Sequence, residues 1–276
     1  RVPIAAANGP RMTAGMLFPL TTLRPPIPTT GRMSDCIRLA INGANGRMGR
    51  ALQRLLKDDP RFMLAACVGA AEEWSHVPEL DVAIDFSAPA GTEAALKHCR
   101  VAKAAFVCGT TGLDADQRDR LHAAARDIPV LHAANFSLGI AVLTRLLREA
   151  ASALPDWDLE IIEAHHAQKV DAPSGTALAL GRAATAARGQ DFEQAAQFAR
   201  HGHTGARTPN AIGFSSIRAG EIVGEHTVLL AARDERIELT HRACDNTIFA
   251  RGALHAAAWL AGKPPGAYSL DDVLVA

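Results

Sequence analysis

The sequence predicts an α/β fold: a doubly wound parallel sheet, followed by a smaller α+β region built on a mixed or antiparallel sheet. Three features carry that expectation. Short apolar runs alternate with helical stretches as far as residue 137, and a glycine-rich turn follows the first run directly. Beyond residue 210 the pattern becomes strand-rich, with glycine breaks.

The first run, 37–42, is a short strand in which apolar residues recur at period two. Gly43, Gly46 and Gly49 then lead into a helical segment, 47–56, that stops before Asp58-Asp59-Pro60. Apolar runs at 63–68, 82–86, 105–108 and 130–132 supply further strands, with helices around 92–102 and 114–126. Strand and helix in regular succession imply parallel pairing, because each helix carries the chain back across the sheet face. After Ser137 come a long helix (138–153), a strand (159–164), a loop and a helix (176–188). Runs at 212–218, 225–231 and 236–240, separated by Gly220, Gly224 and Asp234-Glu235, read as an antiparallel meander. A last helix, 246–262, carries an apolar face with Trp259 that is free to pack back on the first sheet.

The expected division is one domain from 36–136 plus 247–276, a second from 137–246, and a disordered extension over 1–35. Within that extension, 1–34 hold Arg1, Arg11, Arg24 and Arg32, no acid, and Pro25-Pro26. Its apolar stretch 16–20 is too short for a signal-peptide core or a membrane span, and Met33 would make a natural start.

The formal net charge is zero, so no global field favours nucleic acid or an anionic membrane, and any anion site must be local. Cys36, Cys67, Cys99, Cys108 and Cys244 are odd in number, widely spaced and without a C-x-x-C pair. That pattern argues against a disulfide framework and a cysteine zinc site, and fits a reducing cytoplasm.

The densest chemistry lies in Glu163-Ala164-His165-His166-Ala167-Gln168-Lys169-Val170-Asp171-Ala172-Pro173-Ser174-Gly175-Thr176-Ala177. Two imidazoles, an ammonium and a helix start share one short segment. Backbone N–H groups of Ser174, Gly175 and Thr176 can stand unpaired at that start and attract a carboxylate or phosphate. A capped surface helix with two satisfied histidines is the plain alternative, and the number of reactive groups in the segment disfavours it. Gly43, Gly46 and Gly49, spaced G-x-x-G-x-x-G after the first strand, suit a backbone turn against a pyrophosphate. Histidine pairs also invite a metal reading, but neighbours on a strand point to opposite faces, so His165 and His166 are poor joint ligands. His201 and His203 read as loop residues, and no metal is expected.

Seven motifs in one order resemble the 4-hydroxy-tetrahydrodipicolinate reductase (dihydrodipicolinate reductase) family. They are Gly43-Ala44-Asn45-Gly46-Arg47-Met48-Gly49-Arg50, Asp85-Phe86-Ser87, Gly109-Thr110-Thr111-Gly112, Ala134-Asn135-Phe136-Ser137, the His165-His166 run, Gly202-His203-Thr204-Gly205 and Gly224-Glu225-His226-Thr227. The resemblance implies a Rossmann-type first domain that takes NADH, NADPH or both through Gly43, Asn45, Gly46, Arg47, Met48 and Gly49. It places Gly109, Thr110, Thr111, Ala134, Asn135 and Phe136 near the nicotinamide. It makes His165 the general acid and has Lys169 support departure of the hydroxyl or polarise the ring, while His166, Ser174, Gly175 and Thr176 hold the carboxylates of a small dicarboxylate substrate. The implied reaction replaces the substrate's 4-hydroxyl by hydride, with loss of water, in diaminopimelate and lysine biosynthesis. A cytoplasmic homotetramer, packed sheet to sheet, is implied as well.

Three places depart from the family pattern. Gln168 stands where a third histidine is frequent, and Asn246 where an arginine is expected near the domain junction. Gly69-Ala70 stand where Glu-Arg is common at the end of the second strand. Cofactor preference is therefore open, with Glu72 or Glu73 either at the ribose or simply solvated. A Rossmann oxidoreductase for a different small acid, or a nucleotide sensor without chemistry, are the competing readings. The run from His165 to Thr176 weighs against the first, and the intact His165 and Lys169 against the second.

Overall fold

The alternation in the first half resolves, in a computed structural model describing residues 36–275, into one parallel sheet wrapped by helices. The expectation of disorder for 1–35 lies outside the described residues. The first part runs β1 (Ile37–Asn42), α1 (Arg47–Leu56), β2 (Phe62–Val68), β3 (Val82–Asp85), α2 (Pro89–Ala102), β4 (Ala105–Cys108), α3 (Ala115–Ala124) and β5 (Pro129–His132). There follow α4 (Leu138–Ala153), β6 (Asp158–His165), α5 (Gly175–Arg188), α6 (Phe192–Ala195), β7 (Ala196–Gln197), β8 (Ile212–Arg218), β9 (Gly224–Ala231) and β10 (Arg236–Ala243). The chain closes with α7 (Thr247–Leu260), β11 (Gly266–Tyr268) and α8 (Leu270–Leu274).

Local chemistry sets several of these boundaries. Pro89 opens α2, where its missing N–H costs nothing. Asp114 and Gln117 form a reciprocal capping box on α3.

The first sheet has the order β11-β5-β4-β3-β1-β2, all parallel. Its central strands are buried on both faces, which is why they read as nearly continuous apolar runs rather than alternating ones. One face packs Leu39, Ile41, Ile84, Val107 and Leu131 against Ala250, Ala253, Leu254, Ala257 and Leu260 of α7. The other packs Ala40, Ala83, Phe106 and Val130 against Leu96 and Leu121. Thus α7 returns to the first sheet, as its apolar face suggested. Gly252 permits that contact: a Cβ there would lie 1.8 Å from the carbonyl oxygen of Phe136.

The second sheet corrects the expected meander. Its order is β10-β9-β6-β8-β7, so β9 and β10 form an antiparallel hairpin but β8 does not join them. Strand β6 lies between, parallel to β8 and antiparallel to β9. Periodicity marks which segments are strands but is silent on which strands are partners. Residues 219–223 must therefore cross two strand spacings of about 4.8 Å each. They do so over the end of β6, where Ala219 N–H donates to the His165 carbonyl at 2.9 Å and Ala167 N–H to the Gly220 carbonyl at 3.0 Å. Leu159, Ile161, Val228 and Leu230 face inward onto α4 and α5.

The sequence reading passed over β11, α8 and the short α6–β7 pair. Each is too brief for a period to show: β11 has three residues directly after Lys263-Pro264-Pro265.

The contact at Gly252 gives a direct test. Gly252→Ala should cost about 1–3 kcal/mol through overpacking, visible as a lower urea midpoint with an unchanged slope. Unchanged stability would mean that α7 does not rest on the Phe136 backbone.

Candidate active site

The glycine turn lies at the carboxyl ends of β1 and β3, where the strand order reverses and open α/β sheets form their ligand crevice. Gly43 has φ +78°, and a Cβ on it would sit 2.3 Å from the Phe86 carbonyl oxygen. Its N–H and that of Ala44 both donate to the Val68 carbonyl, at 2.8 and 3.0 Å, which pins the turn to β2. Helix α1 begins at Gly46 without a side-chain cap and without an acid in its first turn. Its leading N–H groups are thus left for an anion, and the residues present fit the pyrophosphate of a dinucleotide. Asn42, Gly43, Asn45, Gly46, Gly69 and Glu72 line a cavity of about 620 Å³ here.

Beneath the turn lies Asp85, fully buried. It accepts from Asn42 Nδ2 (2.8 Å), Ser87 Oγ (2.6 Å), Thr92 Oγ1 (2.6 Å) and Thr110 Oγ1 (2.9 Å). These bonds tie the ends of β1, β3 and β4 to the start of α2.

The expected nicotinamide-side residues divide by accessibility. Thr111 and Ala134 are exposed and Gly109 and Asn135 partly so. The Thr110 hydroxyl is spent on Asp85 and on the Ser87 amide, and the Phe136 ring is buried edge-on to Phe86 at 5.5 Å. Those two can face a cofactor only through backbone. Met48 packs partly into the first core, and Arg47 lines a separate groove with Arg50, Arg54 and Lys57.

The second cluster gathers at the end of β6. Glu163 and His165, two residues apart, share the inward face of the strand, and His165 Nδ1 lies 2.6 Å from Glu163 Oε2. Arg218 of β8 donates Nη1 to Oε2 (2.8 Å) and Nη2 to Oε1 (2.7 Å) of the same carboxylate. The Ser174 amide adds a fourth bond at 3.1 Å. Burial alone would raise the Glu163 carboxyl, but hydrogen bonds from Arg218, Ser216 and His165, with the Arg218 charge, outweigh it and hold the group at about 2. Glu163 is therefore ionised at neutral pH.

Ser174 caps α5 by accepting from the Ala177 amide (3.1 Å), and its hydroxyl shares a hydrogen bond with His226 Nε2 (3.0 Å). The Ser174 side chain is thus engaged inside the protein, and what remains open at this terminus is Gly175 and, in part, Thr176. His226 stacks edge-on to His165 at 5.2 Å between ring centres. Its burial, reinforced by nearby His165, lowers it to about 4. Lys169 is paired with Asp171 at 2.7 and 2.9 Å, which lowers the Asp171 carboxyl. His166 is partly exposed, and Gln168, His201 and His203 are exposed. Asn246 makes no cap bond on α7, since Asp245 accepts from the Thr247 amide instead at 2.6 Å.

One bond joins the two clusters: Asn135 Nδ2 donates to Thr176 Oγ1 at 3.0 Å, while Asn135 Oδ1 accepts from the Ser137 amide at 2.8 Å. Arg218, His226 and Asp85 were not assigned roles from the sequence. The last two lie inside motifs singled out above, whereas Arg218, 55 residues from Glu163, has no local signal. Among the described residues no group of three or more His, Cys, Asp or Glu could hold a metal ion. No helix among them is long and apolar enough to cross a membrane.

A family model described as "Dihydrodipicolinate reductase, N-terminus" matches residues 37–136, and one described as "Dihydrodipicolinate reductase, C-terminus" matches 139–274. A 4-hydroxy-tetrahydrodipicolinate reductase of Halorhodospira halophila is 44% identical, covering 86% of this chain and 98% of its own. One from Xanthomonas campestris pv. campestris is 47% identical, covering 87% and 98%. A dipicolinate-bound dihydrodipicolinate reductase from Paenisporosarcina sp. TG-14 shares the fold, with TM-score 0.71 and 21% identity over 85% of this chain and 97% of that one.

Burial of His226 makes stability depend on pH. The folded protein holds this ring neutral down to about pH 4, while an unfolded histidine takes its proton near 6.5. The stabilisation is complete above about 6.5 and is lost as pH falls towards 4, by up to about 3 kcal/mol. His226→Gln, whose amide can either donate to or accept from Ser174, should flatten that part of the urea-stability profile. Parallel profiles for the two proteins would exclude His226 as a source of the loss.

Proposed function

The chain belongs to the 4-hydroxy-tetrahydrodipicolinate (dihydrodipicolinate) reductase family and is an NAD(P)H-dependent oxidoreductase of diaminopimelate and lysine biosynthesis; from that premise we propose how its residues divide the reaction. The observation that carries the assignment is the imidazole of His165, fixed by an ionised carboxylate beside a helix start that is itself bonded to the cofactor-side loop.

Reduced nicotinamide supplies the hydride. Its dinucleotide is held at the turn of Gly43, Asn45, Gly46, Arg47, Met48 and Gly49, with Gly109, Thr110, Thr111, Ala134, Asn135 and Phe136 around the ring, Thr110 and Phe136 acting through backbone. Glu163 accepts the Nδ1–H of His165, which leaves Nε2 as the atom that gives a proton to the reduced substrate. Lys169 exchanges its contact with Asp171 for the departing hydroxyl and stabilises the charge that develops there; the hydroxyl leaves as water with a proton from the neighbouring carbon, the position to which His165 then returns one. The amides of Gly175 and Thr176, with His166, hold the two carboxylates, because the start of α5 carries unpaired N–H groups and a favourable dipole. Ser174 positions those amides rather than touching substrate.

The second sheet turns Ile162, Ile217 and Leu229 away from its own core. This face supports assembly into a homotetramer, and the five widely spaced cysteines support residence in a reducing cytoplasm.

With freshly generated substrate and saturating cofactor, His165→Ala and Lys169→Ala should each lower kcat about 10²- to 10⁴-fold, followed by loss of the reduced-nicotinamide absorbance. Nucleotide affinity, measured separately, should stay near the wild-type value. Near wild-type turnover in both variants would overturn these roles. Sedimentation equilibrium should give a tetramer, and Ile217→Asp should lower the assembly state; a monomeric wild type would exclude the sheet face as an interface.

A further inference from the structure

The cofactor site contains a carboxylate in an unusual position, and its placement bears on which nucleotide the enzyme takes. Where a dinucleotide-binding chain commonly ends its second strand in an acid, β2 ends at Val68 and continues Gly69-Ala70, with no charge at that point. The acid arrives instead from three residues downstream. Gly69 N–H donates to Glu72 Oε2 at 2.7 Å, so the loop folds Glu72 back over the end of the strand.

The surroundings fix what that carboxylate faces. A Cβ built on Gly69 would lie 2.5 Å from Glu72 Oε2 and 2.4 Å from Asn45 Nδ2, so the two groups flank one point beside the glycine turn. Glu72 thus occupies the volume of the missing side chain at 69. Because Val68 O already receives the amides of Gly43 and Ala44, the carboxylate is held close to the pyrophosphate turn itself. Glu72 lines the cavity of Gly43, Asn45 and Gly46, and among the described residues no lysine or arginine lines it. Arg47, Arg50, Arg54 and Lys57 border a different groove. Glu73, by contrast, accepts from Ser75 Oγ and does not line the cofactor cavity.

We propose that Glu72 is the residue that selects the nucleotide, accepting the adenosine ribose hydroxyls and thereby favouring NADH over NADPH. An ionised carboxylate is a strong acceptor for two adjacent hydroxyls. Against a 2'-phosphate it presents like charge, with no guanidinium or ammonium among the described residues of the cavity to offset it. The inference rests on the cofactor site proposed above, and it adds a residue that takes over the function of the vacant position at 69.

Calorimetric titration of the purified chain with NADH and with NADPH, without substrate, tests this directly. Wild type should bind NADH about 10- to 100-fold more tightly than NADPH, the range expected for hydrogen bonds to a charged group. Glu72→Ala should weaken NADH, leave NADPH unchanged or improved, and bring the ratio close to one. Glu73→Ala, which removes an equal charge from the same loop, should leave the ratio as in wild type. Equal affinities in wild type, tighter NADPH, an unchanged ratio in Glu72→Ala, or equal shifts in both variants would each overturn the assignment. Should the affinity pattern hold while no protein consumes NADH with substrate, the reductase roles would fall and the selection by Glu72 would stand.

Discussion

The pair between Glu163 and Arg218 lies where a charge is most expensive to bury, and the geometry around it follows from meeting that cost. Glu163 is 1% exposed, and a carboxylate so placed must be neutralised and hydrogen-bonded or it takes up a proton. Two parallel bonds from Arg218 compensate the charge, and the remaining lone pairs receive His165 and the Ser174 amide. Removing one partner of such a pair typically costs about 3–5 kcal/mol, so the four groups behave as one unit. That unit spans β6, β8 and the start of α5. It depends on β8 lying beside β6, since the parallel register of the two strands presents Arg218 side-on to Glu163.

At the cofactor end, Asp85 meets the same problem by different means. Among the described residues its hydrogen-bond donors are neutral ones, from Asn42, Ser87, Thr92 and Thr110. The difference suits the two sites. Hydroxyl and amide donors at Asp85 fix the strand ends to the start of α2. At β6 the carboxylate must stay ionised beside a histidine, and the bidentate arginine secures that.

Much of this was legible in the chain because it depends on near neighbours. The glycine turn and the helix start beside the His165-His166 run act over a few residues, so residue type and spacing reveal them. The buried parallel strands were equally plain, since burial on both faces leaves an unbroken apolar run. What escaped depends on distant pairing. Arg218 is an ordinary arginine at the end of a strand until the register with β6 sets it opposite His165. The meander was misread for the same reason, because the hydrophobic period of β8 is indifferent to its neighbour. Ser174 and Thr110 show the converse: their types suggested contact with ligands, while their burial commits both hydroxyls to the protein's own hydrogen bonds. Glu72 sits between these cases, visible as an acid but assignable only once its loop is seen to turn back.

The bond from Asn135 to Thr176 has a thermodynamic consequence. It is a shared element, one end in the loop proposed to lie beside the nicotinamide and the other on the helix proposed to receive carboxylates. Two sites that both act on one equilibrium obey reciprocity: whatever factor the nucleotide applies to the bonded population, and through it to the substrate's affinity, the substrate applies in equal measure to the nucleotide. The order in which the two ligands arrive can then be kinetically preferred, while the free energy of the ternary complex is indifferent to it.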